Sequence, residues 1–176
     1  MNPVWWSVCR LWVRFRRDRT PPPNVSDPVW YFAYGSNMNE RLFRERRHMT
    51  PVETRTGRLN DYRLCFTVAG GRRPGASAPA NIVKDPGSTV HGVLYLLPLR
   101  KFVRLDASEG RQYAYLWIEA EDCSGTPIAA VTFSATCGVP EGQPSLPYMN
   151  IIRAAARQRG LPENYVSFLD QIDTAE

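Results

Sequence analysis

The chain has 176 residues, 43% of them hydrophobic and 22% charged, enough for one ordinary core and typical of a soluble globular domain. Its formal charge of +5 is unevenly spread: Arg10, Arg14, Arg16, Arg17 and Arg19, set against Asp18, give residues 1–23 four of the five net charges. The rest is close to neutral, so the charge gives little support to binding of nucleic acid, which requires a clustered basic face.

Residues 1–15 gather Trp5, Trp6, Leu11, Trp12, Val13 and Phe15, with arginines entering from Arg10 onward. Positive charge follows the apolar run and no small-residue cleavage site appears, so this is not a secretory signal. The uncharged run also stops well short of the ~20 residues that span a bilayer. Membrane contact through residues 1–19 is the weaker reading, and a disordered tail the preferred one. Thr20-Pro21-Pro22-Pro23-Asn24 reads as a stiff linker, placing the tail at 1–23 and the folded domain at 24–176.

Tyr31–Tyr34 reads as a strand that breaks at Gly35-Ser36-Asn37 and re-enters a helix over Asn39–Arg47. Glycine there suits a positive φ or a close approach to the backbone, and the break leaves N–H groups able to hold a carboxylate or an oxyanion. Arg41, Arg44, Arg46 and Arg47 read as a solvated helix face. Val52–Leu59 and Tyr62–Val68 read as two strands meeting at a tight turn near Asp61, and Ala69–Pro79 as an exposed loop. Asn81–Val83 and Val90–Leu97 flank Asp85-Pro86-Gly87-Ser88 as an expected hairpin.

A helix is expected over Leu99–Ser108, entered at Pro98, with Phe102, Val103 and Leu105 inward. Tyr113–Glu121 and Pro127–Ser134 form a second hairpin around Cys123-Ser124-Gly125. Tyr148, Ile151, Ile152, Ala155 and Ala156 make one apolar helical stripe, stopped at Gly160; Pro162 opens a last helix that buries Tyr165, Val166, Leu169 and Ile172. Together these predict an α+β domain: a small mixed or antiparallel β-barrel, or strongly bent sheet, with peripheral helices.

Cys9, Cys65, Cys123 and Cys137 are scattered without a C-x-x-C pair, and His48 and His91 are the two histidines. No zinc or iron site can be assembled from such a set, and a reducing cytoplasm fits it best. His91 reads as a structural histidine.

Tyr31-Phe32-Ala33-Tyr34-Gly35-Ser36-Asn37-Met38 is followed about seventy residues later by Leu105-Asp106-Ala107-Ser108-Glu109-Gly110. This pair of segments resembles the γ-glutamyl cyclotransferase-like superfamily. Ala80–Gly87 with Val90–Tyr95, and Pro147-Tyr148 through Tyr165, extend the resemblance over about Val29–Ile172. It implies an enzyme that needs no cofactor and acts on a small-molecule γ-glutamyl compound. The compound's α-amine closes onto its own side-chain carbonyl, releasing 5-oxoproline and an amine.

Glu109, at a turn between a helix and Gly110, is the candidate base and acid, and Asp106 is expected to orient that turn. The resemblance implies that Tyr34, Gly35, Ser36 and Asn37 bind the glutamyl end, with Tyr115 lining the pocket and Tyr113 as the competing register. Tyr148 is a further pocket wall, and Asn81 a weaker candidate. Ser36 lacks the G-x-S-x-G elbow and a nearby histidine, so a serine nucleophile is excluded. The competing function is a non-catalytic binding module on the same fold. Oligomeric state is left open.

Overall fold

In a computed structural model, described over residues 28–68, 78–109, 112–135 and 140–175, five strands close a barrel in the order β1-β3-β2-β4-β5. The tail at 1–23, most of the 69–79 loop, Cys9, Cys137 and Gly110 lie outside the described residues. The strands are β1 (Pro28–Ala33), β2 (Glu53–Cys65), β3 (Asn81–Pro98), β4 (Tyr113–Asp122) and β5 (Pro127–Ala135). Three helices surround them: α1 (Leu99–Ser108), α2 (Leu146–Gln158) and α3 (Glu163–Asp170). β1 runs antiparallel to β3 and parallel to β5, where Tyr31 sits opposite Val131. The barrel is therefore mixed and the domain α+β, as the alternation of patterns predicts.

Two expected hairpins are instead one long ladder. β2 does not turn at Asp61, and both of its halves pair with β3, Arg63 with Val83 and Leu59 with Val90. Asp61 has a positive φ of 61°, which a hairpin turn and a bulge both use; here it marks a bulge. Asp85–Ser88 forms the matching excursion on β3, where Gly87, at φ 85°, donates its N–H to Asp61 Oδ1 at 3.0 Å. The hairpin of β4 and β5 forms as expected, with Tyr113 opposite Ala135 and Glu121 opposite Pro127.

In the ladder of β2 and β3, Gly57 faces Gly92. A Cβ at Gly92 would overlap the carbonyl oxygen of Ala33 and come within 2.8 Å of the Phe32 ring. A Cβ at Gly57 would lie 2.5 Å from the carbonyl oxygen of Glu121. Backbones approach this closely only without side chains.

Inside, Phe32, Phe43, Leu94, Tyr95 and Leu97 are fully buried, and Phe43 stacks on Tyr95 at 4.2 Å between ring centroids. α1 buries Leu99, Phe102 and Leu105 at a spacing of three. Val103, expected inward, is 56% exposed, because it stands about 100° around the helix from Phe102. α2 packs through Met149, Ile152, Ala155 and Ala156, and Gly160, at φ 65°, ends it. Among the described residues no helix is long and apolar enough to cross a membrane.

Candidate functional site

β1 ends at Ala33, and the chain then makes a single tight turn over Ser36–Met38, closed by Met38 N–H to Gly35 O (3.0 Å) and Asn39 N–H to Ser36 O (3.1 Å). The N–H groups that open such a turn have no partner within it. Tyr34 is buried and donates its hydroxyl to Phe133 O at 2.6 Å, which ties the start of the turn to β5. Gly35 has a φ of −115°, so it is not there for a left-handed conformation. A Cβ on it would touch Ala80 Cβ and Tyr148 Oη, each at 3.4 Å, and narrow the space between them. The glycine keeps a hollow open.

Glu109 reaches that hollow from α1. Its N–H caps the helix at Leu105 O (3.1 Å) and Asp106 O (3.2 Å), and its extended backbone leads the chain away. The side chain, 14% exposed, places Oε1 3.0 Å from Asn37 Nδ2, across 72 residues of sequence. Asn37 Nδ2 also donates to Tyr31 Oη at 3.0 Å. A carboxylate accepts and does not donate here, so the amide nitrogen must face Glu109. Asn37 Oδ1 is then left buried without a partner among the described residues.

Arg47 supplies the second contact. Its guanidinium donates to Ser108 Oγ at 2.8 Å and lies 3.3 Å from Glu109 Oε1. Its neighbours Arg41 and Arg44 do form the expected solvated face, paired with Glu45 and Glu40. The helix expected over Asn39–Arg47 forms over residues 40–46 and widens to a π-helix at Leu42–Arg46, with Arg47 N–H reaching back five residues to Leu42 O. At its end Arg47 leans on Ser108.

The opposite wall is built on one residue, Ala80. Tyr113 donates to Ala80 O at 2.6 Å, and Ala80 N–H donates to Tyr148 Oη at 3.1 Å. Ser36 sits against the same Tyr148 hydroxyl. Burial, followed by neighbouring hydroxyls and Glu109, pushes the Tyr34 and Tyr113 phenols well above their ordinary range. Burial also raises those of Tyr31 and Tyr148, so all four remain neutral hydroxyls. These walls enclose about 50 Å³.

The structure thus brings together Tyr34, Gly35, Ser36, Asn37, Glu109 and Tyr148. It does not bring in Tyr115, which packs edge-on against Phe102 at 6.4 Å, two residues further along β4. Tyr113 takes the pocket position, the competing register. Asn81 is a clasp: it is 1% exposed and bonds Ala135 N–H (2.8 Å), Ala135 O (3.3 Å) and Thr67 Oγ1 (3.0 Å). Sequence reasoning missed Arg47 and Tyr31. Arg47 carries no signal beyond an arginine-rich helix pattern, whereas Tyr31 stands on a strand already linked to the motif.

A larger groove of about 790 Å³ lies beside β2, β3 and α3, away from Glu109. His91 lines it and packs on Tyr165 at 4.9 Å; burial, with Arg58 nearby, lowers its pKa. Among the described residues no group of three or more His, Cys, Asp or Glu side chains could hold a metal ion.

Residues 89–169 match the model of the AIG2-like family. Over 152 residues the chain is 30% identical to the γ-glutamylcyclotransferase of Mus musculus, covering 83% of this chain and 79% of that protein. The chain belongs to the γ-glutamylcyclotransferase family. It is 31% identical over 168 residues to the γ-glutamyl cyclotransferase aclK of Aspergillus oryzae, covering 82% of this chain but 61% of that longer relative. A solved γ-glutamyl cyclotransferase superposes with a TM-score of 0.73 at 26% identity, covering 85% of this chain and 90% of that one. The mixed barrel with its three helices is thus the fold of this family.

Proposed function

We propose that the protein is a γ-glutamyl cyclotransferase that releases 5-oxoproline and an amine, with Glu109 as its general base and acid. The observation that carries this reading is the Glu109 carboxylate held 3.0 Å from Asn37 across the hollow beside Gly35. A γ-glutamyl compound entering there is curled so that its α-nitrogen faces its own side-chain carbonyl carbon. Attack forms the lactam C–N bond and a tetrahedral oxyanion, and collapse breaks the bond to the leaving nitrogen. The two protons shed by the α-ammonium end on the leaving amine, so none is consumed overall.

Both contacts to Glu109 fall on Oε1, one from Asn37 and one from Arg47. Oε2 is therefore the oxygen we assign to take the proton from the α-nitrogen and hand it to the leaving nitrogen. The backbone N–H groups at the start of the Ser36–Met38 turn are the donors we assign to the glutamyl end and its developing oxyanion. Tyr34, Tyr113 and Tyr148, kept neutral by burial, act as walls. Tyr34 and Tyr113 commit their hydroxyl protons to Phe133 O and Ala80 O, whereas the Tyr148 hydroxyl accepts from Ala80 N–H and keeps its proton for donation. Both reacting groups belong to one molecule, so the chemistry calls for no cofactor. Near-attack positioning lowers such barriers by ~7–11 kcal/mol, while a placed base gives ~10²–10⁴-fold. Shape carries more of the rate than proton transfer.

The test is a panel of γ-glutamyl dipeptides and γ-glutamyl amines incubated with the full chain, with products read by mass spectrometry. The expected products are 5-oxoproline and the free amine in equal amounts for at least one substrate class. No turnover across the panel, or glutamate in place of 5-oxoproline, overturns the reading.

A further inference from the structure

The turn bearing Gly35, Ser36 and Asn37 has an outer side that the proposed chemistry does not use. Its internal hydrogen bonds occupy the carbonyls of Gly35 and Ser36, leaving those of Asn37 and Met38 over. Tyr95 donates its hydroxyl to both of these, at 3.2 Å each. Arg159, at the C-terminal end of α2, donates Nε to Met38 O at 3.2 Å and Nη2 to Tyr95 Oη at 3.0 Å. Its remaining nitrogen, Nη1, lies 3.4 Å from Glu40 Oε2, while Glu40 Oε1 holds Arg44 at 2.8 Å.

The contacts to Met38 and Tyr95 are partly buried. The Arg159 side chain is 14% exposed and its guanidinium lies 5.7 Å from the centroid of the Tyr95 ring, which is itself stacked on Phe43. Burial, against the pull of Arg159, pushes the Tyr95 phenol up to about 12, so it stays a proton donor. A planar guanidinium serves three acceptors in fixed directions, whereas an ammonium on a flexible stem cannot reproduce that fork. The Asn37 peptide is thus gripped from behind while its side chain touches Glu109 in front.

We propose that Arg159 and Tyr95 are positioning residues: they fix the Gly35–Asn37 turn and, through Asn37, the Glu109 carboxylate. The inference rests on the cyclotransferase reading for its kinetic consequence, but its structural half stands apart from it. A pair that merely fastened α2 to the barrel would affect the unfolding midpoint and leave turnover of the folded protein alone. A pair that sets the turn acts on kcat, because displacements of about 1 Å at reacting atoms cost up to ~10²-fold.

Tyr95→Phe, Arg159→Lys and Arg159→Met in the full chain separate these. Release of 5-oxoproline by each variant is assayed below its own unfolding midpoint, and kcat and KM are determined separately. Hydrogen–deuterium exchange is followed in peptides covering residues 34–43. The expected result is a kcat down ~10-fold in Tyr95→Phe and further in Arg159→Met, with KM within about twofold and Arg159→Lys intermediate. Exchange rises in the turn while β3 and β5 keep their protection. Wild-type kcat in the folded variants, or unchanged exchange in the turn, overturns the proposal. Should the wild type release no 5-oxoproline, the reaction assignment fails, and exchange alone decides whether the pair sets the turn: faster exchange supports it and unchanged exchange rejects it.

Discussion

Beside Glu109 the barrel leaves about 50 Å³, and beside α3 about 790 Å³. In the large groove the charged contact is open to solvent. Arg63 pairs with Glu141 at 3.2 Å where both are close to half exposed, and His91 lies on Tyr165. In the small hollow, side chains from separate elements converge: Asn37 from the first turn, Arg47 after the π-helix, Glu109 after α1, Tyr113 from β4 and Tyr148 from α2. Buried polar groups are costly unless each is satisfied, so five elements contributing them to one point is the less accidental arrangement. Convergence marks the site better than volume does.

Substitutions at the two places sharpen this contrast. The largest effect is expected from Glu109→Gln, which keeps the shape and hydrogen-bonding size of the side chain while removing the proton acceptor. Its kcat falls ~10²–10⁴-fold, with circular dichroism and unfolding midpoint close to wild type. Wild-type turnover in that variant removes Glu109 from the mechanism. Gly35→Ala comes next: its Cβ makes ordinary 3.4 Å contacts, so the protein folds, but the hollow narrows and kcat/KM drops about tenfold or more.

Gly92→Ala separates fold from site in the other direction. Overlap with the Ala33 carbonyl and the Phe32 ring should cost about 2–3 kcal/mol in denaturant unfolding, as overpacking does. Arg63→Ala in the large groove is the smallest change: within ~0.5 kcal/mol in stability and no change in turnover. A large activity loss there would mean that the groove takes part after all.

Acid sensitivity has its own location. Hydrogen bonds from the Ser124 hydroxyl and the Thr126 and Ser124 backbones, with Arg55, hold the Asp122 carboxyl at about 2, below its ordinary 3.8. The unfolded chain takes up that proton first as pH falls. Asp122 therefore stabilises the fold fully above about pH 4 and loses that contribution on the way down to about 2. The advantage of wild type over Asp122→Asn in thermal unfolding should shrink over that window; a gap independent of pH contradicts it.

Much of the barrel was readable because period-two alternation and helical stripes are local. The β4–β5 hairpin, α1 and α2 follow from them directly. Pairing was less readable: Asp61 and Gly87 signal departures from regular strand, yet a bulge and a hairpin use the same residues, and only the partner strand distinguishes them. Within the site, the strand, the Gly-Ser-Asn break and Glu109 form one recognisable pattern. Arg47 was hidden, since its place depends on a π-helical widening that nothing in Leu42–Arg46 announces. Tyr113 and Tyr115 differ by one strand period and so share a strand face, which pattern alone does not separate.

The most direct measurement is the isotopic composition of the product formed in heavy-oxygen water. Closure of a bent substrate upon itself uses no solvent oxygen, so the account predicts unlabelled 5-oxoproline matched one to one by free amine. Glutamate carrying solvent oxygen would show that water, and not the substrate's own α-nitrogen, attacks the carbonyl, and would contradict it.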